Sequence, residues 1–211
     1  LSKQHGVKFV SMYGQTEATS RISYLDPKFC DTKLGSIGKP IPNGKMWLEN
    51  ENFEVVTTAG HRGELVYKGP NVSWGYSHDY NDLSIPDQNN ETLRTGDLAY
   101  FDKDGYFFVV DRLKRMINSS GYKIWPAEIE KILHNFEGIK EVCVIGVPDL
   151  RSGQKVKAII VPENSHSEKE IINLKQWCSS RMAKYKIPKI FEIRKSLPKN
   201  KMGKIMWREV K

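Results

Sequence analysis

Across the stretch from Arg94 to Gly121, RTGDLAYFDKDGYFFVVDRLKRMINSSG, the chain changes the sign of its charge. Counting Lys and Arg against Asp and Glu, residues 1–111 carry 11 against 15 and residues 112–211 carry 22 against 10, nets of −4 and +12 that make up the formal +8. One packed domain seldom segregates charge so sharply along its sequence, so the step predicts two bodies joined near Asp111. At 211 residues, each half is long enough to bury a core of its own. The expected division is 1–110 and 111–211.

On the acidic side, Val7–Met12 alternates enough to be a short strand that runs into Tyr13-Gly14-Gln15-Thr16-Glu17. Ligands of α/β sheets bind at the carboxyl ends of strands, so that loop is a candidate site. The β-like runs Lys45–Leu48 and Glu64–Lys68, punctuated by Gly and Pro, predict a small antiparallel sheet or barrel. Residues 77–92 are polar and aperiodic, which predicts a surface loop. Asp102–Gly105 reads as a turn before a strand at Tyr106–Val110. Asp97, after Gly96, reads as an acid exposed in a turn.

The basic side alternates strands and helices. Pro126 suits a first helical turn, and Ile129, Ile132, Leu133 and Phe136 recur on one helical face. Glu141–Val147 and Val156–Val161 read as paired core strands around an Asp149–Gly153 turn. Ser167 with Glu170 forms a capping box for a second helix carrying Leu174, Cys178 and Met182 on one face, and Phe191–Arg194 reads as a last strand. The basic half is therefore expected to be a compact α+β domain of about three strands and two or more helices.

With 39% hydrophobic and 27% charged residues, the composition is that of a globular protein. No apolar run approaches the ~18–20 residues of a membrane helix, so no integral membrane segment is expected. The first residues lack the pattern of a secretory signal, and the chain begins at Leu1 rather than Met, so an upstream portion is expected. Cys30, Cys143 and Cys178 are odd in number and far apart, which predicts reduced, buried thiols and a cytoplasmic location. A basic half is also the electrostatic footprint of a nucleic-acid-binding module. No helix-turn-helix, zinc-finger or aromatic RNA-binding pattern accompanies it, so nucleic acid is not the expected partner.

Four motifs in fixed order carry a resemblance: Tyr13-Gly14-Gln15-Thr16-Glu17, Arg94-Thr95-Gly96-Asp97-Leu98, Asp111-Arg112-Leu113-Lys114 leading to Gly121, and Leu197-Pro198-Lys199-Asn200-Lys201-Met202-Gly203-Lys204-Ile205. Each alone is a weak signal. Together they resemble the C-terminal portion of the AMP-forming adenylating enzymes, the superfamily of acyl-CoA synthetases and adenylation domains. The resemblance implies an α/β fold in which the end of a large AMP-binding domain, with a small β-barrel-like subdomain, precedes a mobile α+β C-terminal domain. It further implies that a carboxylic acid is activated with ATP and Mg²⁺ and passed to the thiol of coenzyme A, or alternatively to an acyl carrier protein.

By the same resemblance Tyr13 packs on adenine in a loop with Gly14 and Gln15, Thr16 bonds the α-phosphate and Glu17 holds Mg²⁺. Asp97 and Arg112 take the ribose hydroxyls. Asp111 and Lys114 mark the hinge, Gly121 opens a path for the pantetheine arm, and Lys204 contacts the substrate carboxylate and phosphate, with Gly203 giving its loop freedom to reach. Such a reaction brings two anions into contact, and fixed cations are what that requires. Residue by residue, plainer readings stay open: a strand end at Tyr13, a solvated Glu17, an Asp97 bonded to its own turn, and a Lys204 that only faces water.

Overall fold

The structure is a computed structural model that describes residues 6–163 and 168–210. It divides into two compact units, Leu1–Leu113 and Lys114–Lys211. In the first, β1 (Ser11–Tyr13), β2 (Ser23–Leu25) and β3 (Lys39–Pro40) form a three-stranded antiparallel sheet. Of the strand expected at Val7–Met12 only Ser11 and Met12 pair, continuing into Tyr13, and Val7 and Phe9 are exposed. A second antiparallel sheet holds β4 (Lys45–Glu49), β5 (Gly63–Lys68), β6 (Thr92–Phe101) and β7 (Phe107–Arg112) in sequence order.

That second sheet is not a closed barrel: among the described residues no pairing joins β4 to β7. Barrel diameter grows with strand number, and four strands leave too narrow an interior to fill with side chains. Two clusters pack against the sheets. Leu48, Leu65, Ala99 and Phe107 form one and Ala18, Ile22, Tyr67 and Val72 the other, with Tyr13 and Met46 touching both. Leu65 and Tyr67 stand two apart on β5, hence on one face, and so link the clusters.

In the second unit, β8 (Ile117–Ser119) and β9 (Tyr122–Ile124) form a hairpin, followed by α1 (Pro126–Leu133), β10 (Ile139–Asp149), β11 (Gly153–Pro162), α2 (Glu168–Ser179) and β12 (Ile190–Ile193). The sheet order is β10-β11-β8-β9, with β12 parallel to β11. The two expected helices form, and Asp149 to Gly153 turns between the two long strands as expected. Five strands stand where about three were expected, because β8 and β9 have three residues each and carry little apolar pattern. Ser167, of the expected capping box, lies outside the described residues.

Both faces of this sheet are covered. Val142, Val144, Val156, Ala158 and Ile160 meet Ile129, Leu133, Leu174 and Cys178 of the helices. Cys143, Ile159 and Val161 meet Leu197 and Val210 on the other face. Two-sided burial is why Val142–Val144 and Ala158–Val161 read as continuous apolar runs instead of alternating. No helix of the described residues is long and apolar enough to cross a membrane.

All three cysteines are free; Cys143 and Cys178 are buried and Cys30 only half-buried. Burial pushes the thiols of Cys143 and Cys178 up to about 11, so both stay protonated and shielded at neutral pH. At pH 8, native protein is expected to alkylate at Cys30 alone, and at all three after denaturation. Mass spectrometry of the alkylated protein checks this, and rapid native labelling of Cys143 or Cys178 would contradict it.

Candidate active site

Tyr13 ends β1, and the chain folds back at once. A Cβ on Gly14 would lie 1.9 Å from the Ser20 carbonyl oxygen, so only glycine permits the approach. The return is held by Ile22 N–H donating to the Tyr13 carbonyl at 2.9 Å and by Ala18 and Ser20 N–H donating to the Gln15 carbonyl at 3.1 Å. Between them Thr16–Ala18 makes a 3₁₀ turn, which leaves Thr16 exposed and Glu17 half-exposed.

The loop meets Asp97 through two side chains. The Tyr13 hydroxyl donates to Asp97 Oδ2 at 2.5 Å, and Gln15 Nε2 lies 3.1 Å from the same oxygen and 2.9 Å from the Thr95 carbonyl. From β7, Arg112 Nε pairs with Asp97 Oδ1 at 2.8 Å and its Nη1 donates to the Thr95 carbonyl at 2.9 Å. Asp97 is only 3% exposed, so this carboxylate is buried among donors. Burial, and then the neighbouring carboxylate, push the Tyr13 phenol well above its ordinary range. Tyr13 therefore remains a donor at any ordinary pH.

Asp97 does not sit in the expected exposed turn. It lies inside β6 opposite Arg112, where the pairing with β5 slips between Glu64 and Val66 and the pairing with β7 slips between Leu98 and Ala99. Gly96 takes φ +68° there, and its N–H donates to Glu64 Oε1. A bulge re-aims side chains within a strand, which is how a carboxylate in mid-ladder comes to meet Tyr13 and Gln15.

Glu17 is tied to a segment that sequence reading left out. Tyr76 Oη donates to Glu17 Oε1 at 2.5 Å, and Ser73 N–H donates to the Glu17 carbonyl at 2.7 Å. Asn71 Nδ2 donates to the carbonyls of Ala18 and Arg21 at 2.6 and 2.9 Å, while Asn71 Oδ1 accepts from Tyr67 at 2.6 Å. The Tyr76 bond foremost, then Glu17's own N–H and the Arg112 charge, hold the Glu17 carboxyl below the usual range. It is ionised at neutral pH. Among the described residues no group of three His, Cys, Asp or Glu could cage a metal ion. A single ionised carboxylate fits Mg²⁺, which commonly takes one or two protein oxygens and completes its shell with phosphate and water.

The other candidates belong to the second unit or to the junction. Asp111 is buried, its Oδ1 accepting from Arg112 N–H at 2.7 Å, and Lys114 is exposed in the 3₁₀ turn Leu113–Arg115. The next residue, Arg115, is pinned to Glu130 of α1 at 2.5 Å. Ser120 and Gly121, at φ +51° and +81°, form the turn between β8 and β9, and Gly121 has open space on its Cα. Lys204 is exposed in the loop Lys199–Ile205.

That loop is not free to reach. Lys199 and Ile205 pair across its neck, and the positive φ of Gly203, +80°, closes its turn. The structure thus gathers Tyr13, Gln15, Asp97 and Arg112 into one cluster, links Glu17 to Tyr76, and leaves Thr16 at the surface. Thr95, Asn71 and Tyr76 were missed: Thr95 lies within a recognised motif, whereas Asn71 and Tyr76 fall just ahead of the polar loop read at 77–92, in a segment given no role.

Comparison with known proteins bears on this arrangement. Residues 1–77 match the family model of the AMP-binding enzymes, and residues 128–204 that of the AMP-binding enzyme C-terminal domain. The chain is 36% identical over 208 residues to a 2-succinylbenzoate–CoA ligase of Bacillus cereus (strain Q1), covering 99% of this chain and 42% of the relative. It is 41% identical over 211 residues to a feruloyl-CoA synthase of an Amycolatopsis species, covering 98% of this chain and 41% of the relative. The O-succinylbenzoate coenzyme A synthetase of Bacillus subtilis, solved in complex with ATP and magnesium ion, superposes with a TM-score of 0.80 at 34% identity, covering 99% of this chain and 42% of that one. The chain thus spans about 42% of the length of the relatives it matches. With a buried carboxylate fixed between the first loop and Arg112, and two matching family models in the order the motifs predict, the chain belongs to the AMP-binding enzyme family.

Proposed function

We propose that the protein of which this chain is part is an AMP-forming acid:CoA ligase: it activates a carboxylic acid with Mg-ATP to an acyl-adenylate and transfers the acyl group to the thiol of coenzyme A. The observation that carries this reading is Asp97, a buried carboxylate set among Tyr13, Gln15 and Arg112. Relatives named as CoA ligases and synthases support the reaction class, and the relative solved with ATP and magnesium ion supports the nucleotide and metal. The three free cysteines support a cytoplasmic location.

In this reading Asp97 and Arg112 hold the ribose, and the Tyr13 ring packs on adenine. Thr16, exposed beside Glu17, donates to the α-phosphate. Glu17 would hold Mg²⁺, whose charge screens the phosphates when bound. Lys204 stabilises the two anions as the substrate carboxylate attacks the α-phosphorus and pyrophosphate leaves. The second unit then turns about Asp111–Lys114, and the thiol arrives past Gly121 to attack the acyl carbon, releasing AMP. The exposed Lys114 and the short Leu113–Arg115 turn suit a pivot, because the flanking Asp111 and Arg115 are held by hydrogen bond and ion pair.

The test is acid-dependent pyrophosphate release by the full-length protein with ATP and Mg²⁺, over a panel of aromatic and aliphatic acids, followed by thioester formation with coenzyme A. Release with at least one acid, and a coenzyme A thioester, is expected. No release with any acid would overturn the ligase reading. Release with transfer only to an acyl carrier protein would replace coenzyme A as the acceptor.

A further inference from the structure

Lys204 presents both of its backbone polar groups to one residue. Its N–H donates to Asn200 Oδ1 at 2.9 Å, and its carbonyl accepts from Asn200 N–H at 2.9 Å. The Asn200 side chain also takes the Met202 N–H at 3.0 Å, and the Asn200 carbonyl takes the Gly203 N–H at 2.9 Å. Four bonds from one residue close the tip of the loop.

The stalk beneath the tip is equally tied. Lys199 and Ile205 bridge across the neck, and Met206 N–H donates to the Pro198 carbonyl at 2.8 Å. Lys199 Nζ reaches Glu141 Oε1 on β10 at 2.5 Å. Leu197 is buried, and it packs with Ile205 against Cys143, Ile159 and Val161 of the sheet. The backbone of Lys204 is therefore fixed to the second unit, and only its side chain is left to move.

We infer that Asn200 is a positioning residue for Lys204: by holding both backbone groups of the lysine, it makes the ammonium's placement a property of the whole unit instead of the loop. The inference rests on the role proposed above for Lys204. Its physical basis is that a catalytic group pre-set in its geometry avoids an ordering cost at the moment of reaction, and a misplacement near 1 Å can cost about 100-fold in rate. Asn200 itself need not touch substrate. Its Oδ1 is the functional atom, so an aspartate can replace it and an alanine cannot.

The experiment uses the full-length protein and separates the half-reactions. Asn200→Ala is expected to slow acyl-adenylate formation about 10- to 100-fold, while thioester formation from supplied acyl-adenylate and the melting temperature stay at wild-type values. Asn200→Asp, which keeps the acceptor, is expected to recover most of the rate. In a Lys204→Ala background Asn200→Ala should cost nothing further, since there is no ammonium left to place. Equal loss of both half-reactions, no rescue by Asn200→Asp, or an additive loss in the double variant would overturn the inference, because each marks a merely structural role. An active Asn200→Ala beside an inactive Lys204→Ala would overturn this inference alone, whereas an active Lys204→Ala would overturn the assignment of Lys204 as well.

Discussion

Lys204→Ala in the full-length protein is expected to lower acyl-adenylate formation by about 10²- to 10³-fold, the cost of removing one pre-set electrostatic group from a transition state. Attack of a carboxylate on a phosphorus that already bears negative oxygens concentrates anionic charge at one point. A cation held there contributes most where water is excluded. The backbone of Lys204 is held by Asn200 and its side chain is exposed, which suits the role proposed for it. Thioester formation from supplied acyl-adenylate requires no such charge and should change by about 2-fold at most. Single-turnover measurement of the two half-reactions checks this. Equal loss in both would mean that the lysine supports the fold or the bound nucleotide generally.

Asp97→Ala is expected to have the second largest effect, on binding and on stability together. The substitution strips the common acceptor from Tyr13 Oη, Gln15 Nε2 and Arg112 Nε. Arg112 is about half exposed and can turn to water, but the Tyr13 hydroxyl is part-buried against the carboxylate, so the unsatisfied donors cost about 1–3 kcal/mol of stability. Loss of the group proposed to take both ribose hydroxyls should raise the Kd for ATP by about 100-fold, from two charge-assisted hydrogen bonds at ~1.5 kcal/mol each. Asp97→Asn separates the effects. It preserves shape and an acceptor for Tyr13, so it should fold with a smaller penalty, yet it sets an amide N–H₂ among donors and still loses ATP. Urea unfolding and calorimetric titration with ATP read the two quantities; wild-type ATP affinity in Asp97→Asn would remove Asp97 from the nucleotide site.

The pattern of what was legible follows the range of the interactions. The helix at Pro126 announced itself through Ile129, Ile132, Leu133 and Phe136, because helical periodicity is a local property. The paired strands β10 and β11 were legible from their apolar runs and the turn between them. The β8–β9 hairpin was missed, since Ile117-Asn118-Ser119 and Tyr122-Lys123-Ile124 are three residues each, too short to show an alternating pattern. Of the small antiparallel sheet or barrel expected here, the sheet is what forms; Gly and Pro mark turns and say nothing about whether the last strand meets the first.

In the site, the motifs named the residues but not their partnerships. Tyr13 and Asp97 are 84 positions apart, and nothing in either motif says that one would donate to the other. Tyr76 escaped notice because its partner, Glu17, is 59 positions away and no motif marks the segment that carries it. Asn200 was quoted within a motif and given no role, and Gly203 was read as a source of freedom. Its positive φ instead closes a turn whose other bonds Asn200 makes.

The amino-acid sequence by itself determined the charge step, the helices, the longer strands and the identity of the motif residues, because each depends on composition or on neighbours within a few positions. Only the tertiary structure decided that the ladder through Asp97 would bulge, that this carboxylate would be buried among Tyr13, Gln15 and Arg112, and that Lys204 would be held by Asn200. Those outcomes depend on which distant backbone groups come within about 3 Å of one another. Such a distance is settled by the packing of whole elements and is encoded in no single segment.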